Sequence, residues 1–114
     1  MASLPILEPK SQSQNISLIE AARNGSASTI RTLINEGVNI NDADANGITA
    51  LIMASSAGNL EAVKILIEKG ANKDPIDSLG YNAYSSAMFY GDFRGVTEEP
   101  FNKIMELVKL NESE

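Results

Sequence analysis

The chain contains no cysteine, no histidine and no tryptophan. Without thiol or imidazole there is no cysteine nucleophile, no Ser-His-Asp relay, no disulfide staple and no ordinary zinc site. A domain of 114 residues lacking such staples must be held by its apolar core alone. That is demanding, because small domains bury a smaller share of their surface. Long hydrophobic runs are missing as well. Stretches such as Ile48 to Ala54 fall far below the roughly 18–20 apolar residues that span a bilayer, so no membrane partner is expected. No basic start leads into an apolar segment at the N-terminus, and no secretory leader is expected. The absence of cysteine suits a reducing compartment, and the chain is expected in the cytoplasm. Positive charge is scarce: 9 Lys and Arg stand against 15 Asp and Glu, a net charge of −6. That field repels phosphate backbones, and no local basic cluster offsets it, so nucleic acid is not an expected partner.

What remains is an ordinary globular composition, 43% apolar and 21% charged, in a chain long enough for one domain. Its organisation is repetitive. A shift of 33 residues superimposes Gly25 on Gly58 and Gly58 on Gly91, Gly37 on Gly70, and Gly47 on Gly80. The same shift pairs Leu18 with Leu51, Ile19 with Ile52, Ala21 with Ala54, Leu33 with Leu66, Ile34 with Ile67, Asn39 with Asn72 and Asp44 with Asp77. A period of that length marks stacked supersecondary units.

Each unit has the same physical content. Thr49 can close the N-terminus of a short helix that continues through Ala50, Leu51, Ile52, Met53 and Ala54, and Gly58 stops it. Asn59 is expected to cap a second helix in which Leu60, Val63, Leu66 and Ile67 form an apolar stripe, with Glu61, Lys64 and Glu68 outside. The spacing of those three charged residues suits helix-surface pairs. Gly70 ends the helix, and Asp74 to Gly80 is a turn-rich link. Helices this short are marginal alone; stacked side by side, the pairs bury one continuous core.

The run Gly47-Ile48-Thr49-Ala50-Leu51, then Ala54, Gly58 through Ile67, and Gly70-Ala71-Asn72 resembles an ankyrin repeat, with its 33-residue period and T-P-L-H-x-A signature. Ala50 and Ile52 stand where that signature has Pro and His. Ile52 is expected to fill the space apolarly, without the polar link the His would make. The resemblance implies an all-α solenoid of stacked helix-turn-helix units whose turns project as fingers. It covers residues 16–92 strongly and 93–114 weakly.

Three units are expected, at about 16–47, 48–80 and 81–114. The first holds helices Leu18–Asn24 and Ala27–Glu36, and the first helix of the third reaches Tyr90 before Gly91. An insertion near 93–100 then breaks the period. A displaced last helix from about Glu98 to Leu110 resumes it with the stripe Phe101, Ile104, Leu107 and Val108, capping the stack. Residues 1–15, with Pro5, Pro9 and a Ser/Gln run, read as a flexible leader or as an arm covering the first unit through Leu4, Ile6 and Leu7.

No enzyme is expected, and no cofactor or metal. Asp44 and Asp77 superficially offer a carboxylate pair, but they are equivalent positions in successive units, where an Asp accepts backbone hydrogen bonds at a turn. Asp42, Asp44 and Asn46 lack the Gly and the terminal Glu of a calcium loop. Gly91 to Gly95 has no Lys-Ser/Thr to make a phosphate loop.

Binding is the better reading. The family resemblance implies that finger and first-helix positions carry partner contacts. Here these are Arg23 and Asn24; Ala45, Asn46 and Ile48 from one finger; Ser56 and Ala57 from the helix after it; Ser78, Leu79 and Tyr81 from the next finger; and Phe89 and Tyr90 from the third unit's helix. Leu79, Tyr81, Phe89 and Tyr90 are expected to cluster as an aromatic-rich anchor, with Phe89 and Tyr90 alternatively packed under the insertion. The finger acids Asp42, Asp44, Asp74, Asp77 and Asp92 outweigh Arg23 and Arg31, which points to a basic or mixed partner surface. The expected function is an adaptor or inhibitor that binds another protein. The alternative is a self-associating structural unit that pairs through open repeat ends or the N-terminal arm.

Overall fold

In the second and third units the first helix begins at a side chain that closes its N-terminus, and the structure shows how. In the computed structural model, which describes residues 18–93 and 101–109 except for the side chains of 90–93, Thr49 is extended and its Oγ1 accepts from the Ile52 amide at 3.2 Å. Asn82 does the same for the third unit. Its Oδ1 accepts from the Ser85 amide at 2.8 Å, and Ser85 Oγ accepts from the Asn82 amide at 3.0 Å, a reciprocal cap that satisfies two otherwise orphaned donors.

The helices follow in the order α1 (residues 18–24), α2 (Ala27–Asn35), α3 (Ala50–Ala57), α4 (Leu60–Glu68), α5 (Ala83–Phe93) and α6 (Phe101–Val108). Among the described residues there is no strand, only one antiparallel bridge between Ala43 and Thr49. The architecture is the expected all-α stack of helical hairpins. α3 lies at its centre against α4, α5 and α6. It is apolar nearly all round because it is buried nearly all round, at Ala50, Leu51, Ile52, Ala54 and Ser55. Ile52 fills the signature His position as an apolar, buried side chain. α4 turns Val63 and Leu66 inward and leaves Glu61, Lys64 and Glu68 exposed.

α6 is the displaced second helix of the third unit. It packs on α5 and α4 through Phe101, Ile104 and Val108. Phe101 reaches the turn between α3 and α4, where Gly58 sits at φ 76° and an added Cβ would stand 2.8 Å from the ring. Only a glycine gives both the left-handed turn and the room for that ring.

The structure corrects the sequence reading at three points, the length of α5, the pairing of Glu61, Lys64 and Glu68, and the role of Asn59. α5 does not stop before Gly91 but runs on to Phe93. In the first two units the glycine turns the chain into a second helix at once; in the third that helix is displaced, and nothing demands the turn. The last helix spans Phe101–Val108 within the expected 98–110, and residues 98–100 and 110 lie outside the described residues, as do the arm at 1–15 and positions 94–100 of the insertion. Glu61, Lys64 and Glu68 form no ion pair; the one among the described residues joins Arg23 to Glu20 at 3.2 Å, in keeping with the small worth of exposed pairs. Finally, Asn59 occupies the N-cap position of α4 without a side-chain cap. Its Nδ2 instead donates to the carbonyls of Ala22 at 2.8 Å and Arg23 at 2.6 Å. The end of α1 offers carbonyls with no helical partner, and the amide of the neighbouring unit satisfies them.

Candidate recognition face

The fingers are built by two aspartates in the same way. Asp44 Oδ1 accepts from the amides of Asn46 at 2.8 Å and Ile48 at 3.0 Å. Asp77 Oδ1 accepts from Leu79 and Tyr81, both at 2.9 Å. Around each carboxylate the backbone closes a small hairpin: Asp44 N–H donates to Ile48 O at 3.0 Å, and Asp77 N–H to Tyr81 O at 2.9 Å. The carboxylates are therefore turn-makers, as their equivalence in the repeat indicated, and they do not form a reactive pair. Among the described residues no group of three or more His, Cys, Asp or Glu is placed to hold a metal ion. No described helix is long and apolar enough to cross a membrane.

Neighbouring fingers are bonded to each other. Ser78 N–H donates to Asn46 O at 2.8 Å, and Asn72 N–H to Asn41 Oδ1 at 2.7 Å. A Cβ on Gly47 would come within 3.0 Å of Asp77 Cα, so the two turns lie backbone to backbone. The fingers thus form one ledge whose orientation is fixed by the stack behind it.

The expected contact residues fall on this ledge and on the helices behind it. Arg23 and Asn24 are exposed at the end of α1, with Arg23 paired to Glu20. Ala45 and Asn46 are exposed at the tip of the first described finger, and Ile48 is half-buried at its base. Ser56 and Ala57 are half-buried on α3, and the Ser56 hydroxyl donates to Met53 O at 3.1 Å, which leaves it less free for a partner than its sequence position suggests. Ser78 and Leu79 are exposed at the next tip.

The expected aromatic cluster forms in part. Tyr81 stacks on Phe89 with ring centroids 5.4 Å apart and planes 27° from parallel, a favourable offset arrangement. Phe89 is 44% exposed and Leu79 75%; positions 94–100 of the insertion, the alternative cover expected for Phe89, lie outside the described residues. The Tyr90 side chain lies outside the described residues. Two exposed apolar residues were not singled out from the sequence: Ile76, 60% exposed, and Met88, 43% exposed. The repeat carried a signal for Met88. Its equivalents Ala22 and Ser55 are small and fully buried, whereas the third unit has a long side chain at that position.

The charge of the face is lopsided. α3 contains no charged residue and α5 contains only Asp92, while the links carry Glu36, Asp42, Asp44, Asp74 and Asp77 against Lys69 and Lys73. Lysines and glutamates mix on the outer surfaces of α4 and α6. A family model described as ankyrin repeats, in three copies, matches residues 18–97. No curated protein matches the chain.

Proposed function

Because the chain belongs to the ankyrin-repeat family, whose repeats generally serve as protein–protein interaction modules and are typically not enzymes, we propose that it binds a partner protein through the fingers and the exposed parts of α3 and α5. It acts as an adaptor or inhibitor in the cytoplasm by occupying or tethering a partner surface. The observation that carries this reading is the stacked Tyr81–Phe89 pair beside Leu79. In a chain with 3 Tyr, 3 Phe and no Trp, two rings are stacked by the fold and left partly open to solvent. Preordered aromatic area of this kind contributes most at binding hot spots, since little side-chain freedom is lost on contact.

The test is affinity capture with the full chain and with the double variant Tyr81→Ala/Phe89→Ala, each checked for helicity and cooperative unfolding. Affinity for the captured protein is expected to fall by more than about 2 kcal/mol in the variant. A folded variant that binds as well as the parent would place recognition on another face. The acidic links make a basic partner surface the natural complement, and affinity that falls as salt rises is the expected signature.

A further inference from the structure

Two contacts join the first described finger to the second, and one period on the same acceptor positions recur on an exposed edge. Between the two described fingers, Asn46 O takes the Ser78 amide at 2.8 Å and Asn41 Oδ1 takes the Asn72 amide at 2.7 Å. One period on, the corresponding acceptors are Leu79 O and the Asp74 carboxylate. Among the described residues neither accepts a hydrogen bond. Beside them stand the two most exposed large apolar side chains of the described residues, Leu79 at 75% and Ile76 at 60%.

We propose that this exposed edge of the second described finger binds an extended segment of another protein, which lies along residues 74–79 as residues 72–78 lie along 41–46. The segment carries a lysine or arginine at the Asp74 end and an apolar side chain against Leu79. This rests on reading the fingers as recognition elements and adds the chemistry of what they recognise. An extended conformation follows from the template, because residues 71–77 are non-helical and include Pro75. A basic residue follows from a change of charge: the neutral Asn41 amide of one unit is replaced by the Asp74 carboxylate in the next. Within 72–81 there are two acids, Asp74 and Asp77, and one cation, Lys73. An anionic acceptor is best matched by a charged donor.

The same charge argues against a second copy as the occupant. The segment it would offer, residues 72–78, sets Asp74 and Asp77 against the single Lys73, a net −1, and the whole chain carries −6.

The experiment records amide shifts of the uniformly labelled full chain while two blocked seven-residue peptides are titrated in. One has the sequence of residues 72–78 with K73S, leaving it without a cation; the other has the sequence of 72–78 with D74K and D77K. The lysine peptide is expected to move the amides of 74–81, at least about tenfold more tightly than the acidic one, a difference near 1.4 kcal/mol. In the full chain, Asp74→Ala is expected to weaken the lysine peptide several-fold, with the shifts of α2 and α4 unchanged as proof of folding. No shift with peptide up to about 1 mM, or equal affinity for both peptides, overturns the proposal. So do shifts confined to Ser56, Ala57 and α5, although that outcome leaves the proposed function standing. Peptide-free shifts of 74–81 that depend on protein concentration give the edge to a second copy and overturn it as well. Failure of the Tyr81→Ala/Phe89→Ala test with a positive peptide result would remove the aromatic face while keeping this edge.

Discussion

A single carboxylate oxygen organises each finger, so the finger aspartates are where the repeat is most sensitive to small changes. Asp44→Ala leaves the Ile48 amide, in a part-buried site, without its acceptor, and an unmet buried donor costs about 1–3 kcal/mol. The expected result is a lower urea midpoint at unchanged m, with Asp44→Asn recovering most of the loss because its amide keeps an acceptor oxygen. An alanine variant with an unchanged midpoint would show that the hairpin stands without the side chain. Asn59 gives a sharper discrimination. For an ordinary N-cap, Asn and Asp are nearly interchangeable. Here Nδ2 donates to two carbonyls of the preceding unit, and a carboxylate would place negative charge against them. Asn59→Asp is therefore expected to destabilise at least as much as Asn59→Ala, by about 1–2 kcal/mol; an Asp variant as stable as the parent would restore the capping role. Ser55 is the opposite case. It is fully buried in α3 and its hydroxyl has no hydrogen-bond partner, so Ser55→Ala is expected to be neutral or to stabilise by up to about 1 kcal/mol in the same urea measurement.

At the scale of elements, the helices and their buried stripes were legible because two independent signals agree in the sequence, glycine marks and apolar spacing. Thr49 as the cap of α3, the inward stripe of α4 and the displaced α6 all followed from that agreement. The misreadings occur where the outcome depends on a neighbouring unit. The fate of Asn59 is decided by the open carbonyls of α1, and the length of α5 by where α6 packs; no local pattern encodes either. The recognition face was legible as positions rather than as geometry. The sequence placed Tyr81 and Phe89 in the same neighbourhood, but only the fold shows that they stack and stay open, or that Ser56 directs its hydroxyl to its own helix. α6 joins α4 to α5 through Ile104, which is fully buried. Ile104→Ala is expected to cost about 2–5 kcal/mol in unfolding free energy. A loss below about 1 kcal/mol would mean that α6 is not part of the shared core.

In the whole molecule, hairpins too short to persist alone are joined by a central helix buried between them. The ledge of fingers takes its shape from that shared interior. The bonds from Asn59 to α1, from Ser78 to Asn46 and from Asn72 to Asn41 all run between units, so order at the surface and packing in the core stand or fall together. The distribution of charge adds a direction. Acids gather on the links, mixed charges lie on the outer helices, and among the described residues the exposure of large apolar side chains concentrates on the second described finger, in Ile76 and Leu79, and on α5, in Met88 and Phe89. The most direct test is amide hydrogen exchange of the full chain, free and saturated with the protein it captures. Slowed exchange is expected at 45–49 and 74–81 and at the Phe89 end of α5, with α2 and the outer residues of α4 unchanged. Protection confined to α2, α4 and α6 would contradict the claim that the fingers and first helices form the binding face.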